Sequence, residues 1–158
     1  EICNREIVLF SALLHDIADQ KLFGDSSHNT DIMLEIFAKH NIGNEFTDKV
    51  RHNIANTSFS KQKPHEIEPS IELKIIRDAD RLDAIGAIGI ARAFSYGAIK
   101  KRPFYAFDDP NSTLNHFHEK LLNLNSGFYT QHAKKLGLER HNFLLTFLRQ
   151  VEDELKMK

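Results

Sequence analysis

The run Leu13-Leu14-His15-Asp16-Ile17-Ala18-Asp19 brings an imidazole and two carboxylates to the end of an apolar segment. Ile7, Val8, Phe10, Leu13 and Leu14 recur at helical spacing, so His15 and Asp16 arrive on a helix committed to a core. A carboxylate carried to such a place is costly unless it is paired or holds a metal. Imidazole and carboxylate together suit a divalent first-row ion or magnesium. Asp19 follows Asp16 by three residues and His15 by four. If the helix persists, it lies beside both and could position or deprotonate a water. Taken alone the His-Asp pair is a weak signal, because a lone buried His is usually a satisfied core residue.

A second acidic constellation follows in Ile76-Arg77-Asp78-Ala79-Asp80-Arg81-Leu82-Asp83-Ala84. At 100° per residue Asp80 and Asp83 share a helix face, while Asp78 points well away from Asp80. Asp80 lies between Ile76 and Leu82, and two readings stay open for it. It forms a buried ion pair with Arg77 or Arg81, or it is a metal ligand. Two separated helices that each bring nitrogen or oxygen donors into an apolar bundle are how bundles build metal sites.

The elements that must position these groups are helical. The pattern predicts an all-α fold of about six or more helices in one domain over 1–158, with convincing alternating strands absent. The first helix spans 2–17, and a loop follows at 22–28. A second helix, with Asn29, Thr30 or Asp31 as its N-cap, ends at Asn41 and Gly43. A third covers 45–56. A loop at 58–69 carries Lys61 and Lys63, read as solvated charges or as phosphate contacts. One long helix then covers 70–96, its second half, Ala84 to Ala91, apolar enough to be buried all round. The 97–112 loop holds Lys100, Lys101, Arg102, Phe104 and Tyr105, a basic-aromatic mix that suits a nucleotide or a loop packed by its own rings. Helices at 113–124 and 130–157 close the chain. Phe143, Leu144, Phe147, Leu148 and Val151 give the last one its apolar stripe.

Composition narrows the classes. The formal net charge of −1 gives no support for broad binding of duplex nucleic acid. Cys3 is the sole cysteine, so no internal disulfide forms, and a reducing, cytoplasmic compartment fits. No apolar run approaches the roughly 20 residues that cross a bilayer, so no membrane partner is expected.

His15-Asp16 followed by Asp80 resembles the HD-domain metal-dependent phosphohydrolases. The runs Leu13 to Asp19, Asp78 to Arg92 and Asn115 to Leu122 are similar to a small bacterial-type branch of that superfamily, with matches spread from residue 7 to about 152. The resemblance implies an HD-like helical bundle with His15, Asp16 and Asp80 as metal ligands. It further implies a fourth, a histidine on a helix upstream of residue 1, so the chain is expected to lack its first helix. Relatives often place a histidine just before Ser-Phe-Ser; Thr57 stands there, and no histidine role transfers. Asp19 is the candidate for the nucleophile's proton. Lys120, Arg81, His116 and Lys21 are candidates for phosphate binding, although Phe117, Leu121 and Leu122 form a core stripe that equally leaves His116 and Lys120 on an outer face. The implied cofactor is manganese, magnesium, cobalt or iron. The implied activity is hydrolysis of a small phosphorylated substrate, a nucleoside triphosphate cleaved to pyrophosphate. A nucleoside monophosphate phosphatase and a degenerate, non-catalytic nucleotide-binding or signalling domain are the alternatives. A purely helical interaction module is the third. Oligomeric state is not legible.

Overall fold

The computed structural model describes residues 2–17, 27–58, 68–106 and 110–156, and every element among them is helical. The chain forms two compact units, Glu1–Arg77 and Asp78–Lys158.

In the N-terminal unit, Asn4 starts α1 (Arg5–Leu14). Its side-chain oxygen accepts the amide hydrogens of Glu6 and Ile7 at 3.1 and 3.2 Å, which sets the helix start later than the expected Ile2. α2 (Ser27–Lys39) begins before any of the expected caps and ends as foreseen. Asn41 takes φ 56°, and the amides of Asn41 and Ile42 close onto Ala38 and Phe37. α3 (Asn44–Asn56) packs on α1. Ile7, Met33, Phe37, Val50 and Ile54 form the core, and Phe10 meets the rings of Phe37 and Phe46 edge-on at 5.8 and 5.5 Å. Inside this apolar contact Asn53 donates to Ser11 Oγ at 3.2 Å, so neither buried polar group is left unmet.

α4 (Ile71–Asp83) begins in this unit and ends in the next. Glu72 Oε1 accepts the backbone N–H of Asn4 at 2.9 Å, and this bond holds the carboxyl below its ordinary 4.5. A depressed folded-state pKa contributes stability above the ordinary value and loses it as pH falls through the folded one. Stability should therefore decline as pH drops below 4.5, and Glu72→Gln should flatten that decline in urea titrations. An unchanged acid limb in the variant would refute the assignment.

The expected long helix over 70–96 is broken. α4 stops at Asp83, and α5 (Gly86–Ile99) leaves it at 70°. Ile85 is extended (φ −126°, ψ 170°) and almost fully buried among C-terminal core residues, while Gly86 takes φ 77°. The Leu82 carbonyl freed by the break accepts from the Arg140 guanidinium. Nor is the second half buried all round, since Ile88 is 66% exposed. Among the described residues no single helix is long and apolar enough to cross a membrane.

The expected helix over 113–124 is also two elements, α6 (Thr113–Glu119) and a 3-10 helix (Leu121–Gly127). Lys120 at the junction has φ −128° and ψ −59°. α7 (Gln131–Lys156) completes the unit, with Thr130 Oγ1 accepting the Ala133 amide at 3.2 Å. Phe117, Leu121, Leu124, Leu144 and Leu148 are central to the core, and Phe94 bridges the rings of Phe117 and Phe147. Phe143, expected on the buried stripe, is exposed. The side chain of Phe128 fills the space a Cβ on Gly137 would occupy, so the small residue admits the ring into α7.

Candidate metal centre

α1 delivers His15 as its C-cap, with Asp16 next to it. His15 Nδ1 lies 2.7 Å from the Ala12 carbonyl oxygen. A carbonyl only accepts, so Nδ1 carries a hydrogen, which leaves Nε2 as the ring atom that can bind a metal. Nε2 in turn faces Asp16 Oδ1 at 3.2 Å. Two electron-rich atoms aimed at one another repel unless a cation or a proton lies between them. The Nδ1–H to carbonyl bond is the arrangement that fixes the tautomer and the ring of a metal-ligating histidine. The donor set therefore fits a divalent ion. Both side chains keep contact with solvent, at 31% and 55% exposure, so the pair is reachable. Within the N-terminal unit no third His, Cys, Asp or Glu among the described residues joins it.

The remaining candidates divide as follows. Asp19 and Lys21 lie outside the described residues, as do Lys61 and Lys63 of the 58–69 loop. Asp80 on α4, His116 on α6 and Lys120 at the end of α6 belong to the C-terminal unit; each is partly buried and none is without a partner. Thr57, the position at which the resemblance led us to look for a histidine, is buried and donates to the Asn53 carbonyl at 2.7 Å.

Arg81 is placed differently from a surface phosphate ligand. Its side chain is 3% exposed, its guanidinium donates to the Gly127 carbonyl, and it lies 5.1 Å from the centre of the Tyr129 ring. It pairs with Asp78, whose Oδ1 lies 3.7 Å from its guanidinium. Asp78 itself is the residue that sequence reasoning passed over. It is buried, and its two oxygens accept the amides of Tyr129 and Thr130 at 2.9 and 2.8 Å, at the start of α7. The residues two before and one after Asp80 thus fasten this end of α4 to the 127–130 turn. No local signal marks it, because the amides it accepts lie 51 and 52 residues further on.

Comparison with known proteins agrees with this architecture. Residues 2–85 match the HD domain family. The chain is 41% identical over 150 residues to YpgQ of Bacillus subtilis, an alignment covering 94% of this chain and 72% of that protein. The crystal structure of YpgQ aligns with a TM-score of 0.83 and 39% identity, over 96% of this chain and 77% of that one. YpgQ has also been crystallised in complex with ADP, and that structure aligns over 96% of this chain and 78% of that one with a TM-score of 0.81 and 38% identity. An HD-superfamily hydrolase from Bacillus thuringiensis aligns with a TM-score of 0.76 and 37% identity, over 98% of this chain and 76% of that one. This chain belongs to the HD-domain family, among the YpgQ-like small HD-superfamily hydrolases.

Proposed function

We propose that the chain is a metal-dependent nucleotide phosphohydrolase, specifically a nucleoside triphosphate pyrophosphatase, and that 1–158 works as one HD-like domain. The observation that carries this reading is the His15–Asp16 pair, with Nδ1 tied to the Ala12 carbonyl and Nε2 turned to the carboxylate. The ADP complex of its relative YpgQ supports a nucleotide as the substrate class. His15, Asp16 and Asp80 are the proposed ligands of manganese, magnesium, cobalt or iron. Such an ion supplies charge neutralisation at phosphoryl oxygens and a more acidic water.

The chain's own groups do the rest. Asp19 is the proposed acceptor of the proton from the water that attacks the α-phosphorus, with pyrophosphate leaving as the P–O bond breaks. Lys120, His116 and Lys21 are the proposed contacts to the remaining phosphates. Arg81, whose guanidinium is already engaged, serves as a positioning residue in this scheme.

The test is product analysis with manganese present and a panel of nucleotides. Equal amounts of monophosphate and pyrophosphate from triphosphates are expected. Orthophosphate from monophosphates, with triphosphates untouched, would replace this reading by the phosphatase one. Nucleotide binding without turnover would mark a non-catalytic domain.

A further inference from the structure

The proposed reaction makes no use of the basic-aromatic stretch that follows α5. Lys100, Lys101 and Arg102 come directly after the last residue of that helix. Their backbone is fixed, because the three amides donate to the carbonyls of Tyr96, Ala98 and Gly97 at 3.0, 3.0 and 2.8 Å. The next residues are pinned as well. The amides of Thr113 and Leu114 donate to the Pro103 and Phe104 carbonyls at 2.9 and 3.2 Å. This loop is held in place within the C-terminal unit at both ends of the basic run.

More cations stand there than the end of the helix alone calls for. A helix C-terminus carries roughly half a negative charge, which one cation offsets. Here there are three, and none has an acidic partner among the described residues. Lys100 and Arg102 instead lie over the ring of Tyr96, at 5.6 and 5.7 Å. Beside them Phe104 stacks on Phe94, with centroids 4.9 Å apart and planes at 20°, yet the residue remains 51% exposed. A ring supported on one side and open to solvent is a platform for another flat ring, and the exposed Tyr105 follows it.

We propose that this corner binds single-stranded nucleic acid, with phosphates on Lys100, Lys101 and Arg102 and bases stacked on Phe104 and Tyr105. Fixed cations interleaved with open aromatic faces are the chemistry by which proteins hold a strand without reading its sequence. The half-open rings enclose no single base, so affinity must come from several contacts along a strand, which a mononucleotide cannot supply. The chain's near-zero net charge is no obstacle, since the three cations are consecutive in the sequence.

The experiment is fluorescence anisotropy of the full chain with a labelled oligothymidylate of about twelve nucleotides, across a salt series. Three neutralised phosphates give a slope of about −2 in log affinity against log salt. The combined change K100Q, K101Q and R102Q should remove that slope and most of the binding. Phe104→Leu keeps an apolar side chain against Phe94 but loses the stacking face. It should weaken binding about tenfold while leaving the slope intact. Thermal melts confirm that the variants fold. Absence of binding at low salt, a slope unchanged by the triple variant, or full affinity in Phe104→Leu would each overturn the proposal. Capture by phosphatidylserine vesicles without oligonucleotide binding would also overturn it, in favour of a membrane surface.

Discussion

Asp16→Ala should leave the protein unable to retain manganese and slow triphosphate hydrolysis on the order of a thousandfold, the worth of several kcal/mol of charge stabilisation. His15→Ala should match it, because the two donor atoms face one another across 3.2 Å and neither alone makes a site. The loss should be confined to chemistry. Asp16 lies past the last residue of α1 with its side chain 55% exposed, so its removal takes little packing from the core. Unfolding in the presence of a chelator is therefore expected to shift by no more than about 0.5 kcal/mol. Elemental analysis after manganese loading and desalting supplies the decisive readout. A variant that still carries stoichiometric metal would end the assignment of Asp16 as a ligand, whatever its activity. Adding chelator to the unmodified protein should reproduce the variant's rate.

The largest stability effect is expected at Asp78. Asp78→Ala removes the acceptor for two backbone amides at the start of α7 and a buried acid paired with the Arg81 guanidinium. Both side chains of that pair are almost wholly out of solvent, at 4% and 3% exposure. Breaking such a pair by deleting one partner costs about 3–5 kcal/mol, since the surviving charge stays buried. For a chain of this length that corresponds to a fall in Tm on the order of 10 °C. Urea unfolding should show a lower midpoint with little change in slope. A loss below about 1 kcal/mol would mean that water replaces the carboxylate at the 127–130 turn. Arg81→Met, which removes the charge but keeps volume, should then separate the pair's electrostatics from the capping of α7.

Where the sequence was informative, it was so through periodicity and end signals. The termination of α2 at Asn41 was legible because few residues other than glycine tolerate a left-handed backbone, and Asn41 adopts one. The start of α1 was misplaced because Asn4 caps by a local hydrogen bond that apolar spacing does not register. The break between α4 and α5 was invisible for a related reason. Ala84 to Ala91 reads as one apolar helix, and only the packed unit shows Ile85 buried in an extended conformation and Arg140 answering the freed carbonyl. The His15–Asp16 pair stood out because two donors met at the end of an apolar run. Asp78 did not, since a carboxylate that caps a helix 50 residues later leaves no short-range trace.

Gly86 gives that break a genetic dimension. Its φ of 77° and the methylenes of Arg140 near the position of a would-be Cβ (Cγ at 3.0 Å) make the site hostile to side chains on two independent counts. Every amino acid one base change away from a glycine codon has a Cβ. Of these only aspartate has any appreciable taste for the left-handed region. The corner between α4 and α5 therefore rests on a codon from which drift has almost no neutral exit, and a lineage that altered it would have to rebuild the turn at the same time.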